Sequence, residues 1–142
     1  MRVILAEKPS VAQSIAAVLG ADQKKNGYLQ GENDLVSWCI GHLIELAPPE
    51  IYDARYAKWR REDLPIVPSA WESVVSDGTK KQFAVLKDLL NRTDVDEVVC
   101  ARDGGREGER IFRMVYEKTG CTKPVKRLWI SSLEESTIRA GF

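Results

Sequence analysis

The chain has 142 residues, 44% of them apolar and 30% charged, the proportions of an ordinary globular domain. That balance excludes a disordered tail and a collagenous rod, and no apolar run approaches the ~18 residues a membrane-spanning helix requires. Lys plus Arg (21) equals Asp plus Glu (21), so the surface as a whole does not grip nucleic acid and any phosphate binding is local.

The first element in chain order is the apolar run 3–6, typical of a buried parallel strand. Glu7 and Lys8 interrupt it at once, which is not the pattern of a signal peptide. Ser10 and Gln13 have the spacing of a capping box ahead of Val11, Ile15, Val18 and Leu19 at helical period, and Gly20 is the expected stop. Tyr28-Leu29 and the run 35–40 flank the polar segment 31–34, the signature of a hairpin. Residues 48–68 hold Pro, Tyr, Trp and charge without a period and predict an ordered excursion across the surface. A strand is expected to return at 71–75. From Thr79 a helix carries Phe83, Leu86 and Leu90 on one face and lysines 80, 81 and 87 on the other. Residues 97–101 form a second buried-strand run, followed by a helix from about Arg106 that turns Ile111, Phe112, Val115 and Tyr116 inward and stops at Gly120. A third strand spans 125–130, and Ser132 with Glu135 predicts another capping box for a last helix. The helical pattern runs to Phe142 without a stop signal, so a longer protein is expected. Strand alternating with helix implies an α/β domain around a mostly parallel sheet.

Chemistry in such a sheet gathers beyond the carboxyl ends of the parallel strands. Glu7 and Asp103 each directly follow a buried run, and Glu107 stands one helical turn beyond Asp103. Converging carboxylates repel unless a cation or proton sits between them. With one His and three Cys, none in a CxxC pair, a metal site would be built from carboxylates and would suit a hard cation. The unpaired Cys39, Cys100 and Cys121 also point to a reducing, cytoplasmic setting. The bland alternative pairs Glu7 and Asp103 with Lys8 and Arg102 in rim salt bridges. Gly104, Gly105 and Gly108 allow either close phosphate approach or simply a tight turn. Arg106, Arg110 and Arg113, with Arg102 just before them, form a basic stripe that is a phosphodiester cradle or a solvated face. His42, the single histidine, is equally readable as a hydrogen-bonded structural residue. Trp59 lies between Lys58 and Arg60-Arg61, a combination suited to nucleic acid or to anchoring a loop.

Four motifs occur in register: Ala6-Glu7-Lys8-Pro9-Ser10, Trp38-Cys39-Ile40-Gly41-His42-Leu43, Glu62-Asp63-Leu64-Pro65-Ile66-Val67-Pro68 and Asp103-Gly104-Gly105-Arg106-Glu107-Gly108-Glu109. With Arg127-Leu128-Trp129-Ile130-Ser131-Ser132, they make nearly the whole chain resemble the Toprim domain at the N-terminus of type IA DNA topoisomerases, in the topoisomerase III branch. The resemblance implies a Rossmann-like Toprim fold with about four parallel strands flanked by helices, residues 1–134 as that domain, and 135–142 as the start of a following one. It implies Glu7 as the acid–base residue of DNA cleavage and religation and Lys8 beside the scissile phosphate. It further implies Mg²⁺ held by Glu7, Asp103 and Glu107, and single-stranded DNA met by Trp59, with Arg106 and His42 as further contacts inside matched motifs. The nucleophilic tyrosine of the family lies in a later domain, and none of Tyr28, Tyr52, Tyr56 or Tyr116 sits in its motif, so these 142 residues alone are expected to be inactive. Where the family often has a middle carboxylate, this chain has Gly105, which bears on the number of metals. A Toprim-type primase or metal-dependent nuclease, and a non-catalytic DNA-binding module, are the alternatives; the motifs at 41–43 and 64–68 favour the topoisomerase.

Overall fold

The computed structural model describes residues 1–102 and 104–142. The run predicted at 3–6 forms strand β1 (Arg2–Ala6), and its neighbours explain its continuous apolar character. It lies between β4 (Asp34–Trp38) and β7 (Glu97–Ala101), parallel to both, and side chains from helices cover it above and below, so neither face meets water. Strand β8 (Val125–Arg127) adds a fourth parallel member beside β7. The predicted hairpin is present as β3 (Tyr28–Gln30) against β4. A further short strand, β2 (Gln23–Lys25), pairs antiparallel with β3 and brings the sheet to six strands among the described residues, in the order β2-β3-β4-β1-β7-β8. The expected count of about four is thus the parallel core of a wider, mixed sheet.

Side chains alternate across β1 and divide the core in two. Val3 and Leu5 pack on one face with Leu86, Leu90, Ile111 and Phe112, from α3 (Lys80–Leu90) and α4 (Arg106–Thr119). Ile4 and Ala6 pack on the other with Ala12 and Ile15 of α1 (Pro9–Leu19) and Ile138 of α5 (Glu135–Gly141). The result is a three-layer α/β/α sandwich. Parallel register is pinned at the amino end: Arg2 lies opposite Asp34, and its Nε and Nη2 donate to the two oxygens of the buried Asp34 carboxylate at 2.7 and 3.0 Å.

Helix ends depart from the sequence reading in instructive ways. α1 begins at Pro9, whose fixed φ suits the first helical position and whose missing N–H costs nothing there. Ser10 is therefore already inside the helix, and no capping box forms. The predicted box at Ser132 also fails, because α5 starts at Glu135 itself; Ser132 Oγ instead accepts from Glu134 N and bonds Thr137 Oγ1. Gly20 and Gly120 end α1 and α4 with left-handed φ of 71° and 72°, as expected. The third strand is shorter than predicted: it ends at Arg127, with a last backbone bond from Leu128 N to Cys100 O at 3.0 Å. Residues 48–68 do cross the surface, as the short helix α2 (Pro49–Tyr52) and two 3₁₀ turns, none of which buries a side chain. A small antiparallel sheet closes the base of this excursion, from β5 (Ile44–Leu46) and β6 (Ser73–Val75), the latter within the return predicted at 71–75.

Candidate active site

Ala6 and Ala101 end β1 and β7 side by side, so the residues that follow, Glu7 and Arg102, leave the sheet together at its carboxyl edge. The helices that come next lie on opposite faces, α1 on one and α4 on the other. This is a topological switch point, where an open α/β sheet offers a crevice. A cavity of about 290 Å³ opens there, lined by Glu7, Lys8, Gly41, His42, Arg102 and Glu107, with Gly108 and Ile111 behind them. The third strand to reach this edge, β4, sends in the loop carrying His42. Gly41 turns that loop at φ +56°, a conformation that favours glycine. His42 Nε2 donates to Glu107 Oε1 at 3.0 Å, joining the loop to the first turn of α4. A second, more apolar cavity of about 200 Å³ shares Glu7 and Arg102 and runs beneath Leu128, Ile130 and Leu133.

Of the predicted site residues, the crevice unites Glu7, Lys8, His42 and Glu107. Asp103 lies outside the described residues. Arg106 stands exposed on the outer side of α4, and Trp59 lies in the surface excursion with 77% of its area exposed, which is not the half-buried loop anchor weighed from sequence. The basic stripe splits. Arg113 bonds Glu109 at 2.7 Å, and Arg127 bonds the other oxygen of the same carboxylate. Arg106 and Arg110 have no ion pair among the described residues. The rim salt bridges of the bland reading do not form at Glu7, which likewise has no ion-pair partner among the described residues.

Arg102 is the residue that sequence reasoning undervalued. It is only 7% exposed, and its Nε and Nη1 lack a hydrogen-bond partner among the described residues. Its guanidinium lies near the buried Cys39 thiol, which burial pushes up to about 11 against the pull of that positive charge. The available signal was its position, directly after a buried run like Glu7, but its charge grouped it with the stripe. Together the crevice offers two carboxylates, two fixed cations and an imidazole. No three His, Cys, Asp or Glu side chains among the described residues stand close enough to hold a metal ion. Glu7 and Glu107 on one polar cavity nonetheless fit Mg²⁺, which keeps several waters and takes only one or two carboxylates.

An open α/β sheet with carboxylates and cations gathered at its switch point defines a class of α/β domains that carry a polar crevice at one sheet edge, and the comparisons narrow it. Residues 2–133 match the family model of the Toprim domain, and the chain belongs to that family. Curated relatives include DNA topoisomerase 3 of Shouchella clausii (strain KSM-K16), 52% identical over 141 residues that cover 99% of this chain and 19% of the relative. DNA topoisomerase 3 of Bacillus licheniformis is 51% identical over 140 residues, with the same coverage. This chain therefore spans about a fifth of the length of the curated relatives it matches. Full-length topoisomerase I from Thermotoga maritima superposes on 98% of this chain, over 20% of its own, with a TM-score of 0.63 and 24% identity, which shows the shared fold.

Proposed function

We propose that the chain is the catalytic Toprim portion of a type IA DNA topoisomerase of the topoisomerase III kind, acting on a single-stranded segment of DNA. One observation carries the reading: parallel register between β1 and β7 delivers Glu7 to the same cavity as Lys8 and Glu107. The half-identical relatives named DNA topoisomerase 3 support it.

In the proposed reaction a tyrosine hydroxyl from a following domain gives up its proton to solvent as its oxygen attacks a backbone phosphorus. A 5′-phosphotyrosyl bond forms as the bond to the 3′ oxygen breaks. Glu7 holds the proton that the departing oxygen takes and recovers it on religation. Lys8, exposed at the entrance of α1, faces the phosphate and stabilises the charge that develops on its oxygens. Phosphodiester energy is conserved in the tyrosyl link, so resealing needs no ATP. Mg²⁺ would be held by Glu7 and Glu107, with Asp103 completing the set, and would supply neutralising positive charge to the carboxylates and the phosphate. His42 positions Glu107, and Arg102 presents a fixed cation at the floor of the crevice.

The test uses the full natural chain on negatively supercoiled plasmid with Mg²⁺. Wild type relaxes the plasmid without ATP, and Glu7→Gln lowers the rate by about 10²-fold or more, the usual scale for removing an acid–base group. An unaffected rate in Glu7→Gln would remove Glu7 from the mechanism.

A further inference from the structure

Trp129 leaves the end of β8 and is 74% exposed, among the most exposed large apolar side chains of the domain. It lies against the backbone of Gly104: a Cβ at that position would sit 2.8 Å from Cη2 and 3.0 Å from Cζ3 of the indole. Only glycine at 104 leaves the ring this place. Beside it an open depression of about 460 Å³ is lined by Arg106, Arg110 and Arg127, with Glu109 as its one carboxylate among the described residues. That carboxylate is already held by Arg113 and Arg127. The depression therefore presents an aromatic face together with two guanidinium groups that have no ion pair among the described residues. Arg127 adds a buried Nη1 without a hydrogen-bond partner among the described residues. A neutral apolar partner would strand these charges, and a duplex keeps its bases paired and stacked away from an indole. Single-stranded nucleic acid satisfies both features, a base on the ring and phosphates on the arginines.

We infer that Trp129, Arg106 and Arg110 form a stacking platform for one base of the single strand, next to the acidic crevice and reached across the first turn of α4. The inference rests on the DNA reading above and adds the path of the strand. α4 carries Glu107 toward the crevice and Arg106 and Arg110 toward the platform, so a strand engaged at Glu7 passes over the start of this helix.

The experiment measures affinity of the full natural chain for a labelled oligothymidylate across a salt series. Trp129→Ala weakens binding about 5- to 100-fold with little change in salt slope, because stacking releases no counterions. Trp129→Phe recovers part of the loss. Arg110→Gln weakens binding and lowers the slope by about 0.7, the mark of one lost phosphate contact. Trp71→Ala, exposed elsewhere, binds as wild type does. Should the alanine variant fail to fold, the phenylalanine variant and the Arg110 salt slope decide. Unchanged affinity in Trp129→Phe and Arg110→Gln, with a lower melting temperature in the former, would show that protein covers the indole and would overturn the platform alone. No binding by wild type would overturn the DNA reading with it.

Discussion

The Cys39 thiol lies fully buried under the crevice, and burial holds it protonated, with a pKa raised from 9.0 to about 11. Its folded value exceeds its unfolded one, so the contribution to stability is complete below pH ~9 and is lost as pH rises toward 11. Such a shift corresponds to at most about 3 kcal/mol. Urea unfolding at pH ~8 and pH ~10.5 should show Cys39→Ala less stable than wild type at the lower pH, with the gap narrowing at the higher. A constant gap would mean that the thiol is not held high. The same floor explains what the sequence concealed at this scale. Glu7 was legible because a charged residue ending an apolar run stands out. Arg102 ends an equivalent run, yet its burial depends on the loop from β4 and on Cys39 closing over it, neighbours 63 residues away along the chain.

Among the elements, the clamp between Arg2 and Asp34 ties the amino ends of β1 and β4. Asp34 is 8% exposed at its side chain and Arg2 31%, so removing the carboxylate leaves a cation that retains some water. Asp34→Ala should cost about 1–3 kcal/mol in chemical denaturation, and Asp34→Asn less, since one acceptor remains. A loss under ~0.5 kcal/mol would show that backbone pairing alone fixes the register. Strands β1 and β7 were readable because burial on both faces leaves an uninterrupted apolar run. Strand β2, Gln23-Lys24-Lys25, was not, since three exposed polar residues have no alternation and pair only because β3 is already beside them. At α1 the capping pattern at Ser10 misled, because Pro9 takes the first helical position one residue earlier.

Over the whole molecule a net charge of zero hides a separation of roles. One end of the sheet holds the register clamp, and the other gathers Glu7, Lys8, Arg102 and Glu107. No tyrosine lines the crevice among the described residues. Tyr116 donates its hydroxyl to the Lys123 carbonyl at 2.6 Å, and Tyr52 accepts from Glu72 N at 2.8 Å. These 142 residues, mixed with supercoiled plasmid and Mg²⁺, should therefore neither nick nor relax it on an agarose gel. Nicking would mean that water or one of these tyrosines attacks the phosphate, and the metal-dependent nuclease reading would then lead.

The two margins of the six-stranded sheet have a consequence for how the domain meets other protein. One margin is β2, with Gln23, Lys24 and Lys25 all exposed; the other is β8, three residues long with Lys126 exposed between Val125 and Arg127. Short margins bearing lysine are poor templates, because an incoming strand would bury an ammonium group for only two or three backbone bonds. Growth of the sheet by strand addition is thereby blocked at both sides, which guards the exposed ladder against aggregation. It leaves the helical faces and the crevice end as the surfaces through which further protein can join.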